Sequence, residues 1–480
     1  MVNKKKKNYS PGVQEFLNIF KNKKVIIAIL VTLGILVLFR IASVIPMPFV
    51  ELKVQSDGSD NSFMQMMNLL GGGGLTQVSL FAIGISPYIT AQIIVQLLSS
   101  DLIPPLARMA KSGERGRKKM EVITRLLTLP FAGIQAYAIL AMATNETTGF
   151  IQFSSHLPFS INSPLYYFFY IGLMIAGTYI AIFLGDLITK RGVGNGVTLI
   201  ILSGIIASLF NSFQTVFINL SGITGQNHQL VSSISFVVYL CFYIIVLLSV
   251  IFINGSVRKI PIQQVGQAMT KNESELSYLP IKINSAGVVP VIFASSLMTI
   301  PSTVAQFLPE ASSGRIWIQS YMSLTSVSGL IIYFFLIILF TFFYSYVQLN
   351  PNKISEDFKK SGRFIPGIKM GRDTETHISR TLFRINWIGG PFLALIASLP
   401  YIVSIASAAA SHGAVQIPSY AALGGTGIVI MVSGTIELWQ SIKSAATTTS
   451  YTYQRKEIEA SLSNITNNTN VDLEDDSQLW

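Results

Sequence analysis

Apolar residues in this chain come in long runs separated by short polar stretches, without the two-residue alternation of strands or the single stripe of a soluble helix. Crossing about 30 Å of hydrocarbon takes roughly 20 helical residues at about 1.5 Å each. Ten runs meet that need, at approximately 25–45, 79–99, 122–143, 164–185, 196–217, 230–254, 286–307, 327–349, 385–407 and 419–440. The pattern predicts an all-α polytopic membrane protein with ten spans.

One connection breaks the rhythm. Some 30 residues separate the first two spans, more than a simple link requires. Within them Phe63, Met66, Met67 and Leu70 fall at i, i+3, i+4 and i+7, the stripe of a helix about two turns long, and Gly71 to Gly74 end it. Such a helix is too short to span; it either folds into an outer cavity on its glycine hinge or lies at the interface.

The spans also repeat. The second opens Gly84-Ile85-Ser86-Pro87-Tyr88-Ile89-Thr90-Ala91, the seventh Gly287-Val288-Val289-Pro290-Val291-Ile292-Phe293-Ala294, and both read G-x-x-P-x-I-x-A. A weaker echo, Ser203-Gly204 and Ser433-Gly434, links spans five and ten. Five spans per half is an odd number, so the halves take opposite membrane orientations, with a path at their interface.

Charge tests the map, because cytoplasmic loops concentrate Lys and Arg. The amino tail, the loops after spans two, four, six and eight and the carboxyl tail hold 31 of the 34 basic residues. Lys53 and Arg315 fall on the other side, and Arg40 lies within span one. Both termini are therefore expected in the cytosol. Composition agrees: of 480 residues, 50% are apolar and 12% charged, against about a quarter charged in soluble domains. The net charge of +11 sits in loops, not on a soluble nucleic-acid-binding face. The lone Cys241 allows no internal disulfide.

Candidate chemistry is sparse. No HExxH, GxSxG or Walker lysine occurs, and His156, His228, His377 and His412 are scattered among loops. Gly192-Val193-Gly194-Asn195-Gly196 follows a membrane helix, without the strand a dinucleotide fingerprint needs. Proton- or ion-coupled transporters place ionisable groups near the midplane; here only Arg40 is clearly inside, near enough to the outer end to snorkel. No enzyme activity, cofactor or metal is expected. The stretch from about Ala460 is rich in Asn, Ser and Asp, the composition of disorder.

An ordered set of motifs resembles the SecY/Sec61α protein-conducting channel family, in its bacterial form, over nearly the whole chain. They are Phe39-Arg40-Ile41 with Ile45-Pro46-Met47-Pro48, the run Ser79 to Leu98, Gly113-Glu114-Arg115-Gly116-Arg117-Lys118, Thr124-Arg125, Gly192 to Gly196, Asn284-Ser285-Ala286-Gly287, and Lys359-Lys360-Ser361-Gly362 with Pro366-Gly367. The resemblance implies a clamshell of ten helices in two inverted five-helix halves, with an hourglass pore, a plug and a lateral gate. Carried over by position, the pore ring is Ile85, Ile89, Ile201, Ile292 and Ile430, and the plug is about Asn61–Gly74, including Phe63, Met66, Met67 and Leu70. The gate lies where spans two and three face seven and eight, with Ser86, Thr90, Ser295 and Ser296 along it.

The implied organisation is a basic tail to residue 24, an amino-terminal half over 25–222, a carboxyl-terminal half over 223–440 and a cytosolic tail from 441. Cytosolic loops over about 255–285 and 350–386, with Arg258, Lys259, Lys359, Lys360, Arg363 and Lys369, would dock the SecA ATPase or the ribosome and its rRNA. Lys369, followed by Met370, stands where the family has an arginine, keeping charge but losing a planar donor fork. The other implied partners are small SecE-like and SecG-like membrane subunits, signal sequences, nascent chains and lipids, in the bacterial plasma membrane. An accessory paralogue within the family, or a secondary solute transporter of inverted 5 + 5 repeats, are the alternatives.

Overall fold

Helices form where the apolar runs lie, and several continue past them into water. A computed structural model describes residues 23–52, 78–99, 104–144, 151–153, 164–223, 229–264, 277–309, 312–410 and 426–446. In chain order the elements are α1 (Lys23–Val44), β1 (Val50–Leu52), α2 (Ser86–Leu97), α3 (Pro104–Lys111), α4 (Glu114–Ala143), β2 (Ile151–Phe153), α5 (Pro164–Arg191), α6 (Gly196–Ile223) and α7 (Gln229–Gly255). There follow β3 (Val257–Pro261), β4 (Gln263–Gln264), β5 (Tyr278–Lys282), α8 (Val289–Gln306), α9 (Ser313–Tyr321), α10 (Val327–Leu349), α11 (Pro351–Ser361), β6 (Arg363–Phe364) and α12 (Arg372–Ala410). A last helix, α13, covers 426–446.

Among the described residues, seven helices are long and apolar enough to cross a membrane, and α6 opens with a shorter apolar stretch, Gly196–Leu209. The protein is thus a mostly helical, multi-span membrane protein. Two helices begin well before their apolar runs. In α4 the first turn carries Glu114, whose carboxylate pairs with Lys118 at 3.1 Å, and in α12 it carries Asp373 and Glu375. Acidic groups at a helix start complement its dipole, so the polar lead-in stays helical.

The second apolar run departs from expectation in the other direction. Instead of a helix from 79, residues 78–85 turn, Ser79 bridges to Pro46, and only the 12 residues of α2 are helical. Pro87 in the first turn explains the late start, since it is tolerated only where no helical N–H donor is required.

Three apolar clusters hold the molecule together. The largest draws residues from α1, α2, α5, α6, α7, α8, α10, α12 and α13. A second packs Met47, Val78 and Ile83 against Ile139 and Leu140 of α4 and Tyr170 and Met174 of α5. Nearby, β1 pairs antiparallel with β2, Glu51 opposite Gln152. The third lies at the other ends of the spans, where β3 pairs with β5, Lys259 opposite Pro280, and β4 pairs with β6, Gln263 opposite Phe364.

Candidate functional site

The repeated motif produces a repeated geometry. Gly84 and Gly287 both take positive φ, 57° and 65°, a left-handed conformation that costs glycine no Cβ clash. In each case the next residue, Ile85 or Val288, precedes the helix without a side-chain cap, and the proline follows in the first turn. The first intrahelical bonds also correspond: Ile89 N–H donates to the Ile85 carbonyl at 3.1 Å, and Ile292 N–H to the Val288 carbonyl at 3.3 Å. The same backbone device thus sets Ile89 and Ile292 one turn into two helices, one in each half of the sequence.

The five isoleucines that the resemblance marks as a pore ring all lie in the apolar interior. Ile85, Ile89, Ile201, Ile292 and Ile430 are all buried, and all belong to the one large apolar cluster, although they come from the approach to α2 and from α2, α6, α8 and α13. A Cβ on Gly434 would rest 3.5 Å from Thr198 and 3.7 Å from Leu202, placing α13 closely on α6. A waist walled by branched aliphatic side chains offers water and ions no polar partner.

Nearby, α8 packs against both α2 and α4. The four polar residues expected along this seam are buried. Thr90 donates to the Ser86 carbonyl at 3.1 Å and Ser295 to the Val291 carbonyl at 2.7 Å, bonds internal to their own helices. Ser296 Oγ has no partner among the described residues. The ladder runs further than the sequence reading marked: Thr299 donates to the Ser295 carbonyl and Thr303 to that of Thr299, while on α4 Thr128 donates to Thr124. Gln135 is buried on α4 as well, its Oε1 without a partner among the described residues.

One direct tie across the seam has no counterpart in the sequence reading. At the end of the span following the basic loop, the Tyr137 ring of α4 stacks on Phe307, which ends α8, with centroids 5.0 Å apart and planes at 17°. In a chain with 30 phenylalanines and 18 tyrosines, single aromatics carry no sequence signal, and only tertiary pairing distinguishes these.

The basic docking residues also gather. Arg258 and Lys259 lie on β3, Lys359 and Lys360 end α11, Arg363 is in β6, and Lys369 follows in a turn; all are exposed. Beneath them Ile260, Ile262, Ile281, Phe358, Ile365, Ile378 and Leu382 make a small core, so the two loops form one platform. Lys259 Nζ sits 4.8 Å over the Tyr278 ring. The turn bearing Lys369 is held by Thr374, whose hydroxyl donates to the Lys369 carbonyl at 2.9 Å, and by Ser355, which donates to the Gly371 carbonyl at 2.6 Å. Where platform meets spans, Asn284 Nδ2 donates to Asn254 Oδ1 at 2.7 Å, and the Ser285 and Ser345 hydroxyls are hydrogen-bonded.

Other quoted motifs prove to be joints. A Cβ on Gly192 would lie 2.3 Å from Thr32 Oγ1, and one on Gly196 1.9 Å from the Gly185 carbonyl oxygen. The Thr32 hydroxyl accepts from Val193 N–H at 3.0 Å, so this glycine cluster is a tight turn pinned on α1. Arg125 of α4 pairs with Glu121 and with Asp186 of α5. The plug residues Phe63, Met66, Met67 and Leu70 lie outside the described residues.

Comparison with known proteins supplies the family. The SecY family model matches residues 79–439. The protein translocase subunit SecY of Mycoplasmoides gallisepticum is 50% identical over 449 residues, 93% of this chain and 87% of that protein. That of Staphylococcus aureus is 36% identical over 92% of this chain and 98% of its own length. Among solved structures, one described as the structure of a protein conducting channel superposes with a TM-score of 0.62 at 20% identity, covering 87% of this chain and 92% of that one. Agreement of this extent in sequence, joined to the shared helical architecture, establishes that the chain belongs to the SecY family of protein translocase subunits, the protein-conducting channels.

Proposed function

We propose that this chain is the pore-forming subunit of a bacterial Sec translocon, a ten-helix clamshell of two inverted halves over 25–222 and 223–440. The observation that supports it is that Ile85, Ile89, Ile201, Ile292 and Ile430, from four helices and the approach to one of them, are all buried members of one apolar cluster. In this reading they form the waist through which unfolded secretory proteins pass, and a plug over about 61–74 covers it from outside. The family is one of transport subunits without catalytic activity, so the drive comes from partners. The platform carrying Arg258, Lys259, Lys359, Lys360, Arg363 and Lys369 would dock a SecA ATPase or a translating ribosome, rRNA included. One solved neighbour, superposing with a TM-score of 0.58, is Sec61 in a canine ribosome–channel complex. SecE-like and SecG-like subunits complete the assembly in the bacterial plasma membrane, with both termini cytosolic on the basic side.

The seam of α2 and α4 against α8 and α10 is the lateral gate in this reading, with Ser86, Thr90, Ser295 and Ser296 along it. A segment exposed there partitions by its own chemistry. Ten leucine-like residues gain about 3–6 kcal/mol on entering lipid, which one or two central charges offset. Signal sequences and nascent membrane helices leave sideways, and the remaining segments cross.

Crosslinking tests the waist. With Cys241→Ser as background, cysteine at Ile85, Ile201 or Ile292 should crosslink to a secretory chain arrested in transit. Cysteine at the lipid-exposed Phe252 or Leu126 should not. Crosslinks from the exposed controls alone would overturn the assignment.

A further inference from the structure

The nine-residue helix α9 joins α8 to α10 and has no part in the proposed waist, gate seam or platform. It is tied down at both ends. At its start Ser312 Oγ accepts from Arg315 N–H at 3.3 Å, and Arg315 Nη1 donates to the Leu308 carbonyl at 3.2 Å, two residues past the end of α8. At its end Ser328, in the first turn of α10, donates to the Tyr321 carbonyl at 2.8 Å. Gly329 packs so closely on the preceding turn that a Cβ would lie 2.0 Å from the Ser323 carbonyl oxygen. With both ends bonded to the ends of membrane-crossing helices, α9 stays at the level where the apolar slab stops.

Its side chains suit that level. Ile318 and Met322 are half-buried toward the protein, and Trp317 and Tyr321, one turn apart, continue the same apolar arc outward. Their rings lie 5.8 Å apart, 56% and 54% exposed, while Gln319 lies on the opposite side, next to Ile316, which is also 54% exposed. The exposed surface around the helix is apolar too, with Val304 and Phe307 at the end of α8 and Val327 and Ile331 at the start of α10. Trp and Tyr are the residues that settle at a membrane boundary, ring in the acyl region and polar edge among headgroups. With α8 and α10 read as spans, the surface that meets this edge is the lipid around their ends.

We infer that α9 is an interfacial anchor, its Trp317–Tyr321 edge seated at the headgroup–acyl boundary of the lipid and bracing the end of α8 where Phe307 meets Tyr137. The inference rests on reading α8 and α10 as membrane spans, with α9 on the outer side. The test leaves Trp317 as the sole tryptophan (Trp387→Phe, Trp439→Phe, Trp480→Phe) in the full chain with its membrane partners, reconstituted in phosphatidylcholine–phosphatidylglycerol vesicles. Lipid brominated near the headgroup end of the acyl chain should cut Trp317 emission at least about twofold, more than lipid brominated near the methyl end, as expected a short way below the headgroups. Aqueous iodide should quench it weakly. Emission quenched by iodide as strongly as a free tryptophan amide and untouched by either brominated lipid would overturn the anchor. Labelling of Ser320→Cys and Ser361→Cys with a membrane-impermeant maleimide, in a Cys241→Ser background, reads the side separately. Both positions labelling from one face would refute the outer placement while leaving the depth result to stand alone. As a further check on folding, Trp317→Leu with Tyr321→Leu should keep the chain intact but lose the preference for the shallow bromine in a tryptophan restored at Ile318.

Discussion

At the scale of single residues, shape and polarity pull apart at the waist. Asparagine in place of Ile89 and Ile292 has as many side-chain heavy atoms as isoleucine but brings donors and acceptors that hold water among apolar neighbours. Ion leak through reconstituted channels, read as potassium efflux, should rise severalfold in that double variant and stay near the native level with leucine at both positions. Equal leak in all three would remove these residues from the seal. Glycine offers a sharper structural contrast. Gly196→Ala forces a methyl group into the Gly185 carbonyl, whereas Gly255→Ala meets nothing within 4 Å. The first should cost about 1–3 kcal/mol as an overpacked contact and the second about 0.5 kcal/mol or less, measurable as midpoints of thermal unfolding in detergent.

At the scale of elements, the platform and the seam behave differently because one has its own core and the other does not. Phe358 anchors the small core under the basic residues, and Phe358→Ala should cost it about 3–5 kcal/mol. Limited proteolysis should then cut within 255–285 and 350–386 and spare the spans, while Lys360→Ala leaves the platform resistant. Cleavage spread over the whole chain would show that the platform is not separable. At the seam, the Tyr137–Phe307 stack is worth about 0.5–1.5 kcal/mol beyond area burial. Since about 1.4 kcal/mol is tenfold in an equilibrium, removing either ring should raise the open population up to about tenfold. Translocation of a preprotein with a weakened signal sequence should speed up accordingly, and the double variant should do no more than either single one. Additive effects would mean that the two rings act separately. The long spans such as α7 and α10 are plain in the sequence, because about twenty predominantly apolar, uncharged residues leave few alternatives. The sequence does not show the β4–β6 pairing that joins the two loops, because Gln263 and Phe364 are a hundred positions apart and two-residue strands have no period to read. Nor does hydropathy place the start of α2, since apolar character continues through residues 79–85 while Gly84 and Pro87 dictate a turn.

At the scale of the whole molecule, the same G-x-x-P device opens one helix in each half of the sequence, and in the proposed clamshell the waist is a meeting of those halves, which can part. Wherever the halves separate enough to admit a polypeptide, a ring of side chains alone closes imperfectly once the chain has left. The proposed plug over about 61–74 and the isoleucines are then two resistances in series. Series resistances predict a specific non-additivity: removing either leaves the other to limit the current, and removing both should raise it by more than the product of the single effects. Deleting Phe63 to Leu70 should therefore raise potassium efflux modestly, Ile89→Asn with Ile292→Asn severalfold, and the combination by a further order of magnitude. A combination that leaks no more than the waist variant would mean that the segment blocks nothing when the channel rests. A deletion that leaks as much as the combination would mean that the isoleucines do not seal at all. In the proposed arrangement the segment and the ring are separate barriers to one path, so the outcomes separate: each can be opened while the other stays intact.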